Sequence, residues 1–324
     1  MTEALLRVRD LRVAFPTALG EARALNGISF DLLRGRALGV VGESGCGKST
    51  LACAIPRLLP KAARVTGRVE VGGEDVFSAS FSALRRLRGG RVGMVFQDAT
   101  AALDGAFTIG SQLRETLRLY GLSRAQARER AGELLRLVGM DAPARRLRQY
   151  PHELSGGQKQ RAMIALALCG EPELLIADEP TSALDVTVQA QILRLLADLR
   201  ARLNMALLLI THDLGVAAEV CDEIIVLYAG RVCERGRAED VFADPRHEYT
   251  RALLACAPSL EGERARVRPI PDAPPDPGHL PPGCAFAPRC ARATDACHAQ
   301  TPEEVCVGPG HFAACRFAKG GASA

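Results

Sequence analysis

The sequence contains no apolar stretch approaching the ~20 residues needed to cross a bilayer. Its longest buried-looking runs, such as Ala206-Leu207-Leu208-Leu209-Ile210, have strand length. The opening residues Met1-Thr2-Glu3-Ala4-Leu5-Leu6-Arg7 lack the layout of a secretory leader, which predicts a protein that stays in the cytoplasm. No dense basic stripe with interleaved aromatics is present either. A net charge of +4, from 41 basic and 37 acidic side chains, is too balanced to argue for nucleic acid. Lysine occurs only at 48, 61, 159 and 319, so arginine supplies nearly all the positive charge; we read that as a genomic habit rather than a function. Hydrophobic residues, at 48%, suffice for an interior. A length of 324 residues predicts one large domain plus an appendage.

What is present begins with Gly42-Glu43-Ser44-Gly45-Cys46-Gly47-Lys48-Ser49-Thr50, the full phosphate-cradling spacing G-x-x-x-x-G-K-[ST]. It follows the apolar Ala37-Leu38-Gly39-Val40-Val41 and precedes Leu51-Ala52-Cys53-Ala54-Ile55, the strand–loop–helix context that the motif requires. Its glycines let backbone N–H groups turn around phosphate oxygens, and the helix N-terminus adds roughly half a positive charge. Lys48 is placed for the β- and γ-phosphates and the Ser49 hydroxyl for Mg²⁺. The pattern implies binding of a nucleoside triphosphate. Pro56 should kink or end the helix that follows.

A second motif completes such a site. Leu174-Leu175-Ile176-Ala177 reads as a buried parallel strand ending in Asp178-Glu179-Pro180. Asp178 is placed to hold Mg²⁺, directly or through water, and Glu179 to act as general base on the attacking water. Leu154-Ser155-Gly156-Gly157-Gln158 precedes a helical run from Gln160 to Cys169, and its Ser-Gly-Gly start is a second anion-binding device, or simply a helix cap.

Taken together these segments resemble the ATP-binding cassette (ABC) ATPases, over roughly residues 5–260 in the right order and spacing. Leu154 to Gln158 resembles the family's signature loop, and Ser182-Ala183-Leu184-Asp185 its dimer-contact loop. His212 resembles the switch histidine, and Gln97, after Val92-Gly93-Met94-Val95-Phe96, the glutamine loop. The resemblance implies an α/β P-loop NTPase cassette with a helical signature subdomain, roughly residues 98–165. It also implies two cassettes facing head to tail, with each ATP between one P-loop and the other's signature serine. Carried over, Gly42, Ser44, Gly45, Gly47, Lys48, Ser49 and Thr50 would hold ATP and Mg²⁺. Gln97 and Asp178 would attend the metal and water, Glu179 would polarise the water, and His212 would stabilise the γ-phosphate. Ser155, Gly156, Gly157 and Gln158 would complete the partner's site. Phe15 falls where the family stacks an aromatic on adenine, and plain packing serves it equally well.

The helical stretches Ile109 to Leu119 and Ser123 to Val138 are Arg-rich, and Ser123-Arg124-Ala125-Gln126 reads as a capping box. In the family this region grips a membrane-spanning partner; a solvated charged face fits the arginines equally. Tyr150 to Gly157, Thr211 to Asp222, Tyr228-Ala229-Gly230-Arg231 and His247-Glu248-Tyr249-Thr250 resemble the dipeptide/oligopeptide/nickel importer branch. Residues Gln97 to Gly105 depart from that branch's proline pattern.

Composition shifts near residue 265. Ten of the 19 prolines and five of the 11 cysteines lie between Pro269 and Cys315, and the run Pro269 to Pro277 excludes helix or central strand. The boundary is therefore expected there, with a cassette over 1–264 and a small Cys/Pro-rich C-terminal module over 265–324. Cys284, Cys290, Cys297 and Cys315 suggest a metal staple, since cytoplasmic disulfides would be reduced. Zinc usually takes closer C-x2–4-C pairs, and similarity to iron–sulfur members of the importer branch favours a [4Fe–4S] cluster, with zinc and unligated cysteines as alternatives. Cys306 is spare, and His298 and His311 are near in sequence.

The expectation is an ATPase subunit powering peptide import, peripheral to the cytoplasmic face of the membrane. Its implied partners are a second ATPase subunit, forming a heterodimer on branch resemblance, two permease subunits and an extracytoplasmic substrate-binding protein, with no nucleic acid. Nickel or another cargo is the nearest alternative. An exporter ATPase, or a soluble ABC protein acting on nucleic acid or ribosomes, stands further off.

Overall fold

The computed structural model describes residues 4–18, 20–182, 184–256 and 270–318. The boundary expected near residue 265, and Ala183 of the dimer-contact loop, lie outside the described residues. The chain divides into two compact units: Met1–Leu5, Leu33–Arg36 and Ser78–Leu208 form one, and Leu6–Leu32, Ala37–Phe77 and Leu209–Ala324 the other.

In the first unit, strands Val92–Val95 and Leu174–Asp178 pair in parallel, from Val92 opposite Leu174 to Val95 opposite Ala177. Every residue of Leu174–Asp178 is buried, as expected for a continuous apolar run in a parallel sheet covered on both faces. Four longer helices accompany them: Ile109–Leu119, Arg124–Leu137, Gly156–Ala167 and Val186–Leu203. Ile109, Leu113 and Leu117 are buried at helical spacing, and Thr108 caps that helix by accepting from the Ser111 N–H. The expected capping box at Ser123 is present in both directions. The helix expected over Gln160 to Cys169 instead runs from Gly156 to Ala167. Ser155 caps it one turn earlier than apolar periodicity alone indicates.

In the second unit, Ala4–Thr17 pairs antiparallel with Arg64–Val71, and Gly20–Leu33 and Glu74–Asp75 extend that sheet. Separately, Ala37–Val41 lies parallel to Glu223–Tyr228, which pairs antiparallel with Arg231–Arg237. The tail adds a hairpin here. Val305–Gly308 pairs with His311–Ala313, which in turn pairs with Arg231–Arg237. Val41, Ile224, Val226, Tyr228, Val241, Tyr249 and Phe286 share one buried core, so the tail packs through Phe286 onto the same interior as the phosphate-loop strand. Residues 270–277 form neither helix nor strand, as the prolines require. The segment is nonetheless anchored, because the Pro277 carbonyl accepts from the Arg23 N–H at 2.9 Å.

The helix after the phosphate loop, Lys48–Ala54, ends before Pro56, the outcome that a missing N–H donor imposes. No helix among the described residues is long and apolar enough to cross a membrane.

Candidate functional site

The phosphate loop leaves the buried strand Ala37–Val41 and opens the helix at Gly47. Gly47 has φ 108° and no side-chain cap, and a Cβ there would press on Leu25 and the Ala24 carbonyl; only glycine meets both demands. Lys48 is buried, and its ammonium donates to the carbonyls of Gly42 at 2.7 Å and Glu43 at 2.9 Å. The loop is thus folded around its own lysine. Ser44, Gly45 and Ser49 are exposed at its rim, and Thr50 is half-buried. Burial pushes the Cys46 thiol above its ordinary range, although Lys48 nearby opposes the shift; that thiol is not a poised nucleophile. In the same unit, His212 is exposed, directly after buried Thr211 and before Asp213, which caps the helix Leu214–Val220. Phe15 is half-buried on the strand Ala4–Thr17.

The first unit brings Gln97 and Glu179 together: the Gln97 amide donates to the Glu179 carboxylate at 3.1 Å. Parallel pairing of Val92–Val95 with Leu174–Asp178 does this, since both residues lie just past the same ends of neighbouring strands. Asp178 is buried and Glu179 half-buried. Glu179 has φ 44°, a left-handed conformation uncommon outside glycine, costing about 1–3 kcal/mol and concentrated at functional positions. The turn it makes gives the two consecutive carboxylates different surroundings.

Ser155 to Gln158 form a reciprocal cap. The Ser155 hydroxyl accepts from the Gln158 N–H at 3.4 Å, and the Ser155 N–H donates to the Gln158 amide oxygen at 3.1 Å. A Cβ at Gly157 would lie 2.7 Å from Cγ1 of Val188, so close approach to the helix Val186–Leu203 excludes a larger residue there.

Cys284, Cys290, Cys297 and Cys315 line one small cavity of about 20 Å³, together with His247, Phe286 and Phe317. Burial is the leading cause raising the thiols of Cys284, Cys290 and Cys315, and neighbouring cysteines add to it. His247 is held neutral by burial, its pKa lowered to about 4, and its Nδ1 accepts from the Tyr249 N–H. Neither the expected cluster nor its zinc alternative finds support in this grouping: among the described residues no three His, Cys, Asp or Glu side chains are arranged to hold a metal ion. Cys306 is exposed. His311 does not line that cavity, and its Nε2 lies 2.7 Å from buried Glu234.

Three residues that motif reading did not single out are linked to the phosphate loop, Tyr249 and Arg289 directly and Tyr228 through Arg289. The Glu43 N–H donates to the Tyr249 hydroxyl at 2.8 Å. Arg289 binds the Glu43 carboxylate through both terminal nitrogens, at 2.7 and 3.0 Å, and donates to the Tyr228 hydroxyl at 3.2 Å. Tyr228 and Tyr249 lie in segments that resemble the importer branch, which was a signal of sorts. Arg289, one arginine among many, carried none.

Comparison with known proteins agrees with this construction. The family described as "ABC transporter" matches residues 25–182, and "Oligopeptide/dipeptide transporter, C-terminal region" matches residues 233–297. The chain belongs to the ABC transporter ATPases. It is 49% identical over 315 residues to a probable peptide ABC transporter ATP-binding protein, y4tR, of Sinorhizobium fredii, covering 96% of this chain and 94% of that one. It is 46% identical over 312 residues to the oligopeptide transport ATP-binding protein OppD of Salmonella typhimurium, covering 96% and 93%. The dipeptide transport ATP-binding protein DppD of Bacillus subtilis is 44% identical over 316 residues, covering 97% and 94%. Among solved structures, cbiO1 of Clostridium perfringens, part of the ABC transporter complex cbiONQ, superposes with TM-score 0.65 at 30% identity, covering 75% of this chain and 92% of that one. A dimeric ATP-binding cassette in a post-hydrolysis state with ADP and Pi superposes with TM-score 0.65 at 27% identity, covering 72% and 98%.

Proposed function

We propose that this chain is the ATP-hydrolysing subunit of an importer of di- or oligopeptides, held at the cytoplasmic face of the membrane by permease subunits. The observation that carries the reading is near-full-length similarity to ATP-binding proteins named for peptide transport, in a chain whose nucleotide motifs are all filled with competent residues. A second ATPase subunit, two permease subunits and an external binding protein complete the assembly. The chain comprises a cassette over 1–264, with its helical subdomain at roughly 98–165, and a Cys/Pro-rich module over 265–324.

In this reading Gly42, Ser44, Gly45, Gly47 and Thr50 line the triphosphate, and Lys48 exchanges its two loop carbonyls for phosphate oxygens. Ser49 and Asp178 would supply hard oxygen donors that suit Mg²⁺, and the bound ion would neutralise charge on the phosphates. Glu179 takes a proton from the attacking water, and Gln97, already hydrogen-bonded to that carboxylate, orients it. His212 stabilises the γ-phosphate, and Phe15 packs on the adenine. Ser155, Gly156, Gly157 and Gln158 complete the partner's site. Nucleotide bridging two cassettes favours the closed dimer, and hydrolysis removes that bias.

The test is Glu179→Gln. ATP binding should stay within about twofold, while turnover falls by ~10²–10⁴, the usual worth of a positioned general base. ATPase rates near those of the parent chain would remove Glu179 from that role.

The four cavity-lining cysteines are proposed to hold a [4Fe–4S] cluster, which would supply a structural staple for the tail. Support comes from four thiols lining one cavity, the number of ligands that such a cluster takes. Protein purified without oxygen should contain iron and acid-labile sulfide and absorb visible light. Substituting Cys297 with Ser should remove these features. Iron-free protein with the same tail stability would overturn this assignment.

A further inference from the structure

Arg289 ends the short turn Ala287–Arg289 and immediately precedes Cys290. Its side chain is 3% exposed. Every nitrogen of the guanidinium is engaged. Nε donates to the Pro271 carbonyl at 2.7 Å, and Nη1 donates to Glu43 and to the Tyr228 hydroxyl. Nη2 donates to Glu43 and, at 3.5 Å, to the Ile270 carbonyl. The two-pronged pair with Glu43 fits a planar guanidinium and not an ammonium. Phe286, Tyr228 and Tyr249 pack on one another beside it, with ring centroids 4.5 to 5.3 Å apart.

Glu43 is the residue after the first glycine of the phosphate loop. Its carboxylate is tied to Arg289, its N–H to Tyr249, and its carbonyl receives Lys48. Three of its groups are thus fixed from outside the loop or by the phosphate-binding lysine itself. Two of the three partners, Tyr249 and Arg289, come from the C-terminal part of the chain. The phosphate loops of nucleotide-binding proteins position backbone N–H groups, and a misplacement of about 1 Å at a reacting centre can cost ~10²-fold, so the setting of such a loop is felt at the phosphates.

We propose that Arg289 is a positioning residue for the phosphate loop: through its two-pronged bond to Glu43, the docked C-terminal tail sets the chain's affinity for ATP. This rests on nucleotide binding by the loop and is independent of what the four cysteines hold. It makes the tail a determinant of the nucleotide site.

The experiment is a MgATP titration of the full-length chain, with steady-state rates and thermal unfolding in parallel. Arg289→Met should raise the Kd for ATP about tenfold or more, and KM should rise in step while kcat changes less than threefold. Glu43→Asp keeps the charge but withdraws the carboxylate from the fork, and should raise Kd about fivefold with an unchanged unfolding temperature. The double variant should bind no worse than Arg289→Met, because both changes break one link; unrelated damage would multiply. Multiplying effects, or a Kd within twofold of the parent for Glu43→Asp, would overturn the proposal. Should Arg289→Met fail to fold, Glu43→Asp decides alone. Absence of ATP binding by the unmodified chain would remove the nucleotide-site reading itself, a different failure from unchanged affinity in Glu43→Asp.

Discussion

Two helices of the first unit begin with the same device. At Arg124–Leu137 the Ser123 hydroxyl accepts from the Gln126 N–H at 3.3 Å, and the Ser123 N–H donates to the Gln126 side chain at 3.0 Å. At Gly156–Ala167 the corresponding distances are 3.4 and 3.1 Å. Both serines have extended backbone, and both sequences read S-x-x-Q. By local geometry the two cannot be told apart. What separates them is the pair Gly156-Gly157 and its neighbour, since Gly157 lies against Val188 while the Ser123 box is followed by arginine and alanine. A capping box is therefore a statement about a helix end, and a functional role for one must come from elsewhere. For Ser155 the role proposed above rests on family resemblance, and it has a definite physical consequence: a hydroxyl that now receives its own helix's N–H would also have to meet a partner's phosphate.

The strongest way to break this comparison is Ser155→Ala in the assembled transporter. If the two boxes differ in function, ATPase activity of the assembly should fall at least about tenfold. Removing one donor aimed at developing charge costs ~10²–10³, so tenfold is a floor. Nucleotide binding by the isolated chain should stay within about twofold. The readouts are ATPase rate in the assembly and ATP affinity of the separate chain. Equal losses in both would place Ser155 in this chain's own site and end the shared-nucleotide reading.

Much of the fold was legible because its signals are local. Apolar runs bounded by turns gave the strands Ala37–Val41, Leu174–Asp178 and Ala206–Thr211, and helical spacing gave Ile109–Leu119. Pro56 gave the early stop of Lys48–Ala54 for a reason that holds in any context. The phosphate-loop motif was legible because phosphate chemistry demands fixed spacing along one loop. The register of Gly156–Ala167 was harder, since two glycines inside its first turn argue against helix on propensity while the serine cap argues for it. The cap prevailed. Least legible was the link from the tail to the phosphate loop. Arg289 and Glu43 are 246 residues apart, and neither residue type nor spacing distinguishes Arg289 from the other arginines. The pairing of Glu223–Tyr228 with Ala37–Val41, and the seating of Phe286 on Tyr228, bring them together. The tail's hairpin was unforeseen for the same reason: its strands are three and four residues long and hold their place by pairing with Arg231–Arg237.

Ser123→Ala sharpens the comparison from the other side and carries the smallest expected effect. Removing a serine cap costs about 0.5–2 kcal/mol, typically about 1. The Arg124–Leu137 helix buries Ala127, Ala131, Leu134 and Leu135, so tertiary packing holds it once its first turn frays, and the loss should sit near the lower end. Thermal or urea unfolding should register that loss, while ATP affinity and the ATPase rate of the assembly stay within about twofold. Ser155→Ala should show a comparable loss of helix stability, since its cap has the same geometry. Equal stability costs with unequal ATPase costs would separate what a capping box does for a helix from what one serine does for a nucleotide. An ATPase loss at Ser123 to match that at Ser155 would mean that both changes act through the fold of this unit, and Ser155 would then have no distinct claim on the phosphate.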